Sequence, residues 1–90
     1  MNHWERAGGV SENPMDDDLF LVVPVSGEIV HLDAMGAAIW RLLQQPQSLE
    51  DIRATFVAAF PDADAAVLQE DLTVALETLK AAGLVRQSDG

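Results

Sequence analysis

Few residue types in this chain could do chemistry, and their spacing limits what that chemistry is. There is no cysteine, which removes both a disulfide framework and thiolate reactivity. His31 is the only histidine inside the predicted fold, and no cysteine or second histidine accompanies it at ligand spacing, so no metal site is expected. Asp16, Asp17 and Asp18 form a carboxylate run, but three consecutive side chains point in different directions, and the run reads as solvated charge. No nucleophile–base pair, glycine-rich phosphate loop or paired-carboxylate site can be assembled. The inventory therefore predicts no enzyme, no cofactor and no metal. What remains is recognition.

Charge narrows the partners. Fifteen acidic against five basic residues give a net charge of −10. Nucleic-acid binding depends on Lys and Arg displacing counterions from phosphates, and Arg6, Arg41, Arg53, Lys80 and Arg86 are scattered along the chain. A cationic peptide or a basic protein suits such a surface better, although solubility alone would also explain it. No apolar run approaches the ~18 residues needed to cross a bilayer, and the N-terminal stretch has no apolar core of a secretory signal. A cytoplasmic location, with no membrane partner, is the expectation. Ninety residues, 49% of them hydrophobic, make one small globular domain.

The elements that must position any site start from Glu28–Leu43. Glu28–Leu32 reads as a strand that runs into a helix through Asp33, a good N-cap because its carboxylate can accept from the first-turn amides. Met35, Ile39, Leu42 and Leu43 then recur at helical spacing with Trp40 beside them, a large aromatic expected in the core. Leu19–Val23, joined to Glu28–Leu32 by Pro24-Val25-Ser26-Gly27, completes a β-hairpin. A first helix is predicted over about Ala34–Gln44 and ends at Pro46. Ser48 with Asp51 opens a second over about Leu49–Phe60, its inner face formed by Leu49, Ile52, Phe56 and Ala59 or Phe60, and Pro61 stops it. A third, capped by Asp62 or Asp64, reaches Ala82 before Gly83. Leu84-Val85-Arg86 reads as a short closing strand. Residues 1–17 read as a loose arm with a short strand near Gly9–Glu12, 18–86 as the domain, and 87–90 as a polar tail.

Two features are surplus to a small core. On the third helix Leu68, Leu72, Ala75, Leu76 and Leu79 form the expected buried stripe, but Val67, Val74, Thr78 and Ala81 form a second one, with Asp71 between them. The apolar run Leu19–Val23 also fails to alternate, as a strand covered on one face should. Something must cover the remainder: the N-terminal arm through Trp4 or Val10, a second subunit, or an extended peptide added to the sheet edge and resting on the third helix.

The ordered combination P-V-S-G, E-I-V-H-L, D-A-M-G-A-A-I-W-R-L-L, S-L-E-D-I-R-A-T-F, a Phe-Pro junction and D-L-T-V-A-L-E-T-L-K-A-A-G-L-V, over about Leu19–Val85, resembles the PqqD family. That family comprises peptide chaperones, also called RiPP recognition elements. The form with Trp40 and P-Q-S-L-E-D-I looks closest to stand-alone members encoded beside HPr-kinase-like proteins. Leu32-Asp33 stands where the family usually has Leu-Asn, and Met35-Gly36 where Thr or Ala is usual. The resemblance implies an α+β, winged-helix-like fold: a small antiparallel sheet of about three strands on three helices. It implies that a precursor leader peptide adds as a strand beside the second hairpin strand and lies against the third helix. By position this nominates Ile29, Val30, His31 and Leu32, with Val67, Asp71, Val74 and Thr78. Asp71 would then pair with a basic leader residue or simply be solvated. A modifying enzyme (a radical SAM enzyme, a protease or a kinase-like protein) is the implied partner, in ribosomal peptide natural-product or PQQ-type cofactor biosynthesis, and a homodimer stays open. Two rivals remain: a structural docking domain of a larger enzyme, and a winged-helix transcription factor, which would need a basic third helix where this one carries only Lys80 against Asp64, Glu70, Asp71 and Glu77.

Overall fold

A computed structural model describes residues 2–16 and 18–89. Five strands and three helices follow in the order β1 (Asn2–Arg6), β2 (Ser11–Met15), β3 (Asp18–Val22), β4 (Ile29–Leu32), α1 (Ala34–Leu42), α2 (Leu49–Ala59), α3 (Ala65–Ala81) and β5 (Val85–Asp89). The class is α+β, but the strands form two antiparallel sheets where one was expected: β2-β3-β4 and β1-β5.

The hairpin β3–β4 has the register Leu19↔Leu32 through Val22↔Ile29. It is closed by the Val23 amide donating to the Glu28 carbonyl at 2.9 Å. Leu19, Leu21 and Val23 are buried while Phe20 and Val22 are half-buried on the other face, so the apolar run alternates in space although not in residue type. The helix caps follow from local chemistry. Asp33 Oδ1 accepts from the Gly36 amide at 2.8 Å, and Ser48 Oγ from the Asp51 amide at 3.1 Å. Asp64 caps α3 by accepting from Ala66 and Val67. Past the end of α3, Gly83 takes φ +80°, a left-handed value that a side chain would resist.

The core is a single cluster in which Leu21, Ile39, Ile52, Leu72, Leu76 and Leu84 have no exposed surface. Trp4 joins it at 4% exposure. The inner face of α2 ends at Phe56, because the helix stops at Ala59 and both Ala59 and Phe60 are exposed.

The N-terminal segment departs from the sequence reading. β1 pairs with β5 over Asn2↔Asp89 to Arg6↔Val85, and Trp4 exchanges backbone hydrogen bonds with Gln47 at 2.7 and 3.0 Å. The polar residues Gln87, Ser88 and Asp89 therefore belong to a strand. The strand expected near Gly9–Glu12 lies at Ser11–Met15 and pairs with β3. A polar clasp fixes it there. Glu12 Oε1 accepts from Trp40 Nε1 at 2.6 Å and from Arg6 Nη1 at 3.0 Å, and the Arg6 guanidinium lies 4.2 Å from the Trp40 ring centroid. Of the acidic run, Asp16 turns the chain with φ +56° and Asp18 opens β3, whereas Asp17 lies outside the described residues.

Candidate functional site

With β2 on one side of β3 and β4 on the other, β4 is an edge strand, and no described strand lies beyond it. In an antiparallel ladder successive residues direct their backbone groups to opposite sides. Because Val23 bonds Glu28, the pairs Leu21↔Val30 and Leu19↔Leu32 also face each other across hydrogen bonds. Ile29 and His31 therefore turn their N–H and C=O groups outward. Those four groups are the free border of the sheet.

Beside this border runs an open groove of about 740 Å³ between β4, the start of α1 and one face of α3. Its lining from β4 is Val30, His31 and Leu32; from α3 it is Glu70, Asp71, Val74, Ala75, Thr78 and Leu79. Asp33, Met35 and Gly36 close the α1 end. Gly36 lets α1 come close to the strand: a Cβ there would stand 3.3 Å from Asp33 Oδ1 and 3.4 Å from the Leu32 Cβ. Val74 is a large aliphatic residue left 61% exposed.

Six of the eight residues nominated from the sequence line this groove: Val30, His31, Leu32, Asp71, Val74 and Thr78. Ile29 and Val67 do not; both are exposed, at 68% and 54%, and Ile29 reaches the border through its backbone. Ala81 of the second stripe is exposed beyond the groove. Sequence reasoning missed Asp33, Met35, Gly36, Glu70, Ala75 and Leu79 as groove residues. Helical spacing puts Met35 on the core stripe of α1 and Ala75 on the inner stripe of α3, and both are half-buried between core and groove.

Polar features of the site are few. His31 Nε2 lies 3.1 Å from Asp18 Oδ1, and its ring centroid is 4.9 Å from that of Phe20. This contact ties the His31 side chain to the outer sheet face, away from α3. Among the described residues Glu70 and Asp71 have no ion-pair or side-chain hydrogen-bond partner, and the groove lining contains no Lys or Arg. No group of three metal-ligating side chains converges among the described residues. No helix among the described residues is long and apolar enough to cross a membrane. The arrangement offers an extended chain four backbone partners along one side and an apolar, acid-rimmed wall along the other.

A family model described as coenzyme PQQ synthesis protein D (PqqD) matches residues 18–85. No curated protein matches the chain. Two solved structures share the fold. One is TbiB1 in complex with the TbiA(beta) leader peptide, with a TM-score of 0.76 and 27% identity, over 89% of this chain and 93% of that one. The other is a lasso peptide synthetase B1 complexed with the leader peptide, with a TM-score of 0.75 and 21% identity, over 92% and 96% of the two chains.

Proposed function

Since the chain belongs to the PqqD family, we propose that it is a peptide chaperone: it captures the leader region of a precursor peptide by strand addition to β4 and presents it to a modifying enzyme. The observation that carries this reading is the unpaired β4 border lying alongside an open groove whose wall is the exposed Val74 face of α3. The likeness to TbiB1, a structure obtained with a leader peptide, supports the same reading. Backbone hydrogen bonds to Ile29 and His31 supply affinity that does not depend on sequence, and the α3 wall supplies selectivity through alternate side chains.

The physical service is effective concentration. A leader held on this scaffold, itself bound to an enzyme, keeps the modifiable part of the peptide at about millimolar concentration near the active site. No chemistry is required of the chain's own residues. The processing partner is a radical SAM enzyme, a protease or a kinase-like protein, acting in the cytoplasm, and Ile29–Leu32 with Asp71, Val74 and Thr78 form the peptide contact.

Isothermal titration of the chain with the leader region of the precursor encoded beside it tests this directly. Saturable binding that is lost on Val74→Asp is expected. No binding up to about a millimolar, the concentration tethering provides, would sink the proposal. The transcription-factor alternative gains nothing from the fold, because the exposed surface of α3 carries Glu70, Asp71 and Glu77 against Lys80.

A further inference from the structure

We infer that the strand accepted at this border carries a Lys or Arg two residues away from a bulky apolar residue, both side chains facing α3. This rests on the peptide-capture reading and specifies the peptide's chemistry. Ligand residues lying beside Val30 and Leu32 must project to the face that α3 occupies, because the side chains of those two β4 residues project there. Ligand residues beside Ile29 and His31 project away, toward the face that holds Phe20 and Val22. Only every second residue of the ligand is therefore read by the groove.

The groove asks different things of two successive inward positions. Val30, Met35, Val74 and Ala75 make an apolar floor that suits a branched or aromatic side chain. One helical turn earlier on α3, Asp71 and Glu70 present two unpaired carboxylates at the rim. Asp71 and Val74 are three residues apart, about 4.5 Å along the helix. Successive inward residues of a strand are about 6.8 Å apart, and the long stem of a Lys or Arg spans the difference. Asp33, the remaining acid in the lining, is already engaged in capping α1. An anionic side chain at the same position would face those rim carboxylates on a chain of net charge −10.

The test is panning of phage-displayed random octapeptides on the intact chain, with counter-selection on the Val74→Asp variant. Val74 is 61% exposed, so the counter-selecting variant keeps its fold. Clones that discriminate the two should be enriched in Lys or Arg two residues from Leu, Ile, Val or Phe. A peptide synthesised from such a clone should lose about three- to tenfold in affinity on Lys→Gln. Against the Glu70→Gln, Asp71→Asn double variant its Lys and Gln forms should bind alike. Groove-dependent clones without cation enrichment, or unchanged affinity on Lys→Gln, would overturn the inference and leave strand capture standing. Panning that yields no clone able to tell the chain from Val74→Asp would overturn both.

Discussion

The alternation along β4 makes a sharp prediction about proline. His31 directs its amide outward to the free border, whereas Val30 directs its amide into the ladder with Leu21. Proline lacks that amide, and a sheet tolerates it at an edge where the missing N–H faces away from the ladder. His31→Pro should therefore fold, while Val30→Pro leaves the Leu21 carbonyl unpaired inside the sheet. Leaving a buried acceptor unmatched costs about 1–3 kcal/mol. In a domain this small each kcal/mol lowers Tm by about 4–8 °C, so Val30→Pro should melt roughly 10 °C below the parent.

The reference for binding is His31→Ala. It removes the same imidazole, with its contacts to Phe20 and Asp18, but keeps the N–H. Relative to it, His31→Pro deprives a bound leader strand of one donor and strands one ligand carbonyl, about 1–3 kcal/mol. Titration should show this as roughly a 5- to 150-fold loss of affinity. Thermal melts of the two variants should agree within a few degrees. If His31→Pro is the variant that melts and Val30→Pro the one that does not, the assignment of the free border is wrong. If His31→Pro is folded and binds a leader as well as His31→Ala does, strand addition at β4 is refuted.

Other outcomes follow from the same structure. Val74→Asp alters a side chain that is 61% exposed, so stability should stay within about 0.5 kcal/mol while leader affinity falls below detection, as melts and titration on one sample can check. Glu12→Ala strips the acceptor from the buried Trp40 indole and should cost about 1–3 kcal/mol in denaturant unfolding. Trp40 fluorescence should shift to the red in the same sample. Leu72→Ala opens a cavity at a fully buried point of α3, at a cost of about 2–5 kcal/mol. That is a large part of the stability of a domain this size, so its urea midpoint should collapse.

The readable parts of this chain were those whose cause is local. Asp33, Ser48 and Asp64 each cap within three residues of themselves, and the inner stripe of α3 repeats at helical spacing, so helix starts and core face were both legible. The second stripe was legible for the same reason, since Val74 and Thr78 stand out as apolar or neutral positions on an acidic helix. Of the N-terminal strands, β2 was legible only to within a few residues, as a short strand near Gly9–Glu12, and β1 was not. β1 pairs with β5 some eighty positions away, and its sequence Asn-His-Trp-Glu-Arg has no apolar alternation to announce a strand. Likewise nothing near Glu12 indicates that its carboxylate would satisfy an indole on α1. Periodicity does not mark Gly36 and Met35 as groove residues, because the lining they share with α3 is a tertiary neighbourhood.

The two borders of the three-stranded sheet are finished differently, and the difference is itself an argument for what β4 is for. On the β2 side, the register Asn13↔Phe20 and Ser11↔Val22 takes the ladder bonds, which leaves Glu12 and Pro14 turned outward. Pro14 thus removes a donor from that outer border, and Glu12 sits beside it with its side chain held in the clasp on Trp40. Proline on a border is a recognised way to stop foreign strands from pairing there. The β4 side has no such guard: Ile-Val-His-Leu offers full backbone capacity and no proline, lysine or glutamate. An unguarded edge invites indiscriminate pairing, so a chain that blunts one border and leaves the other whole must restrict access by other means. In the proposed capture, the face of α3 that lines the groove supplies that restriction. On that proposal a strand takes the border only if its alternate side chains fit beside Val74 and tolerate Glu70 and Asp71, which would turn a general hazard of sheet edges into a selective site.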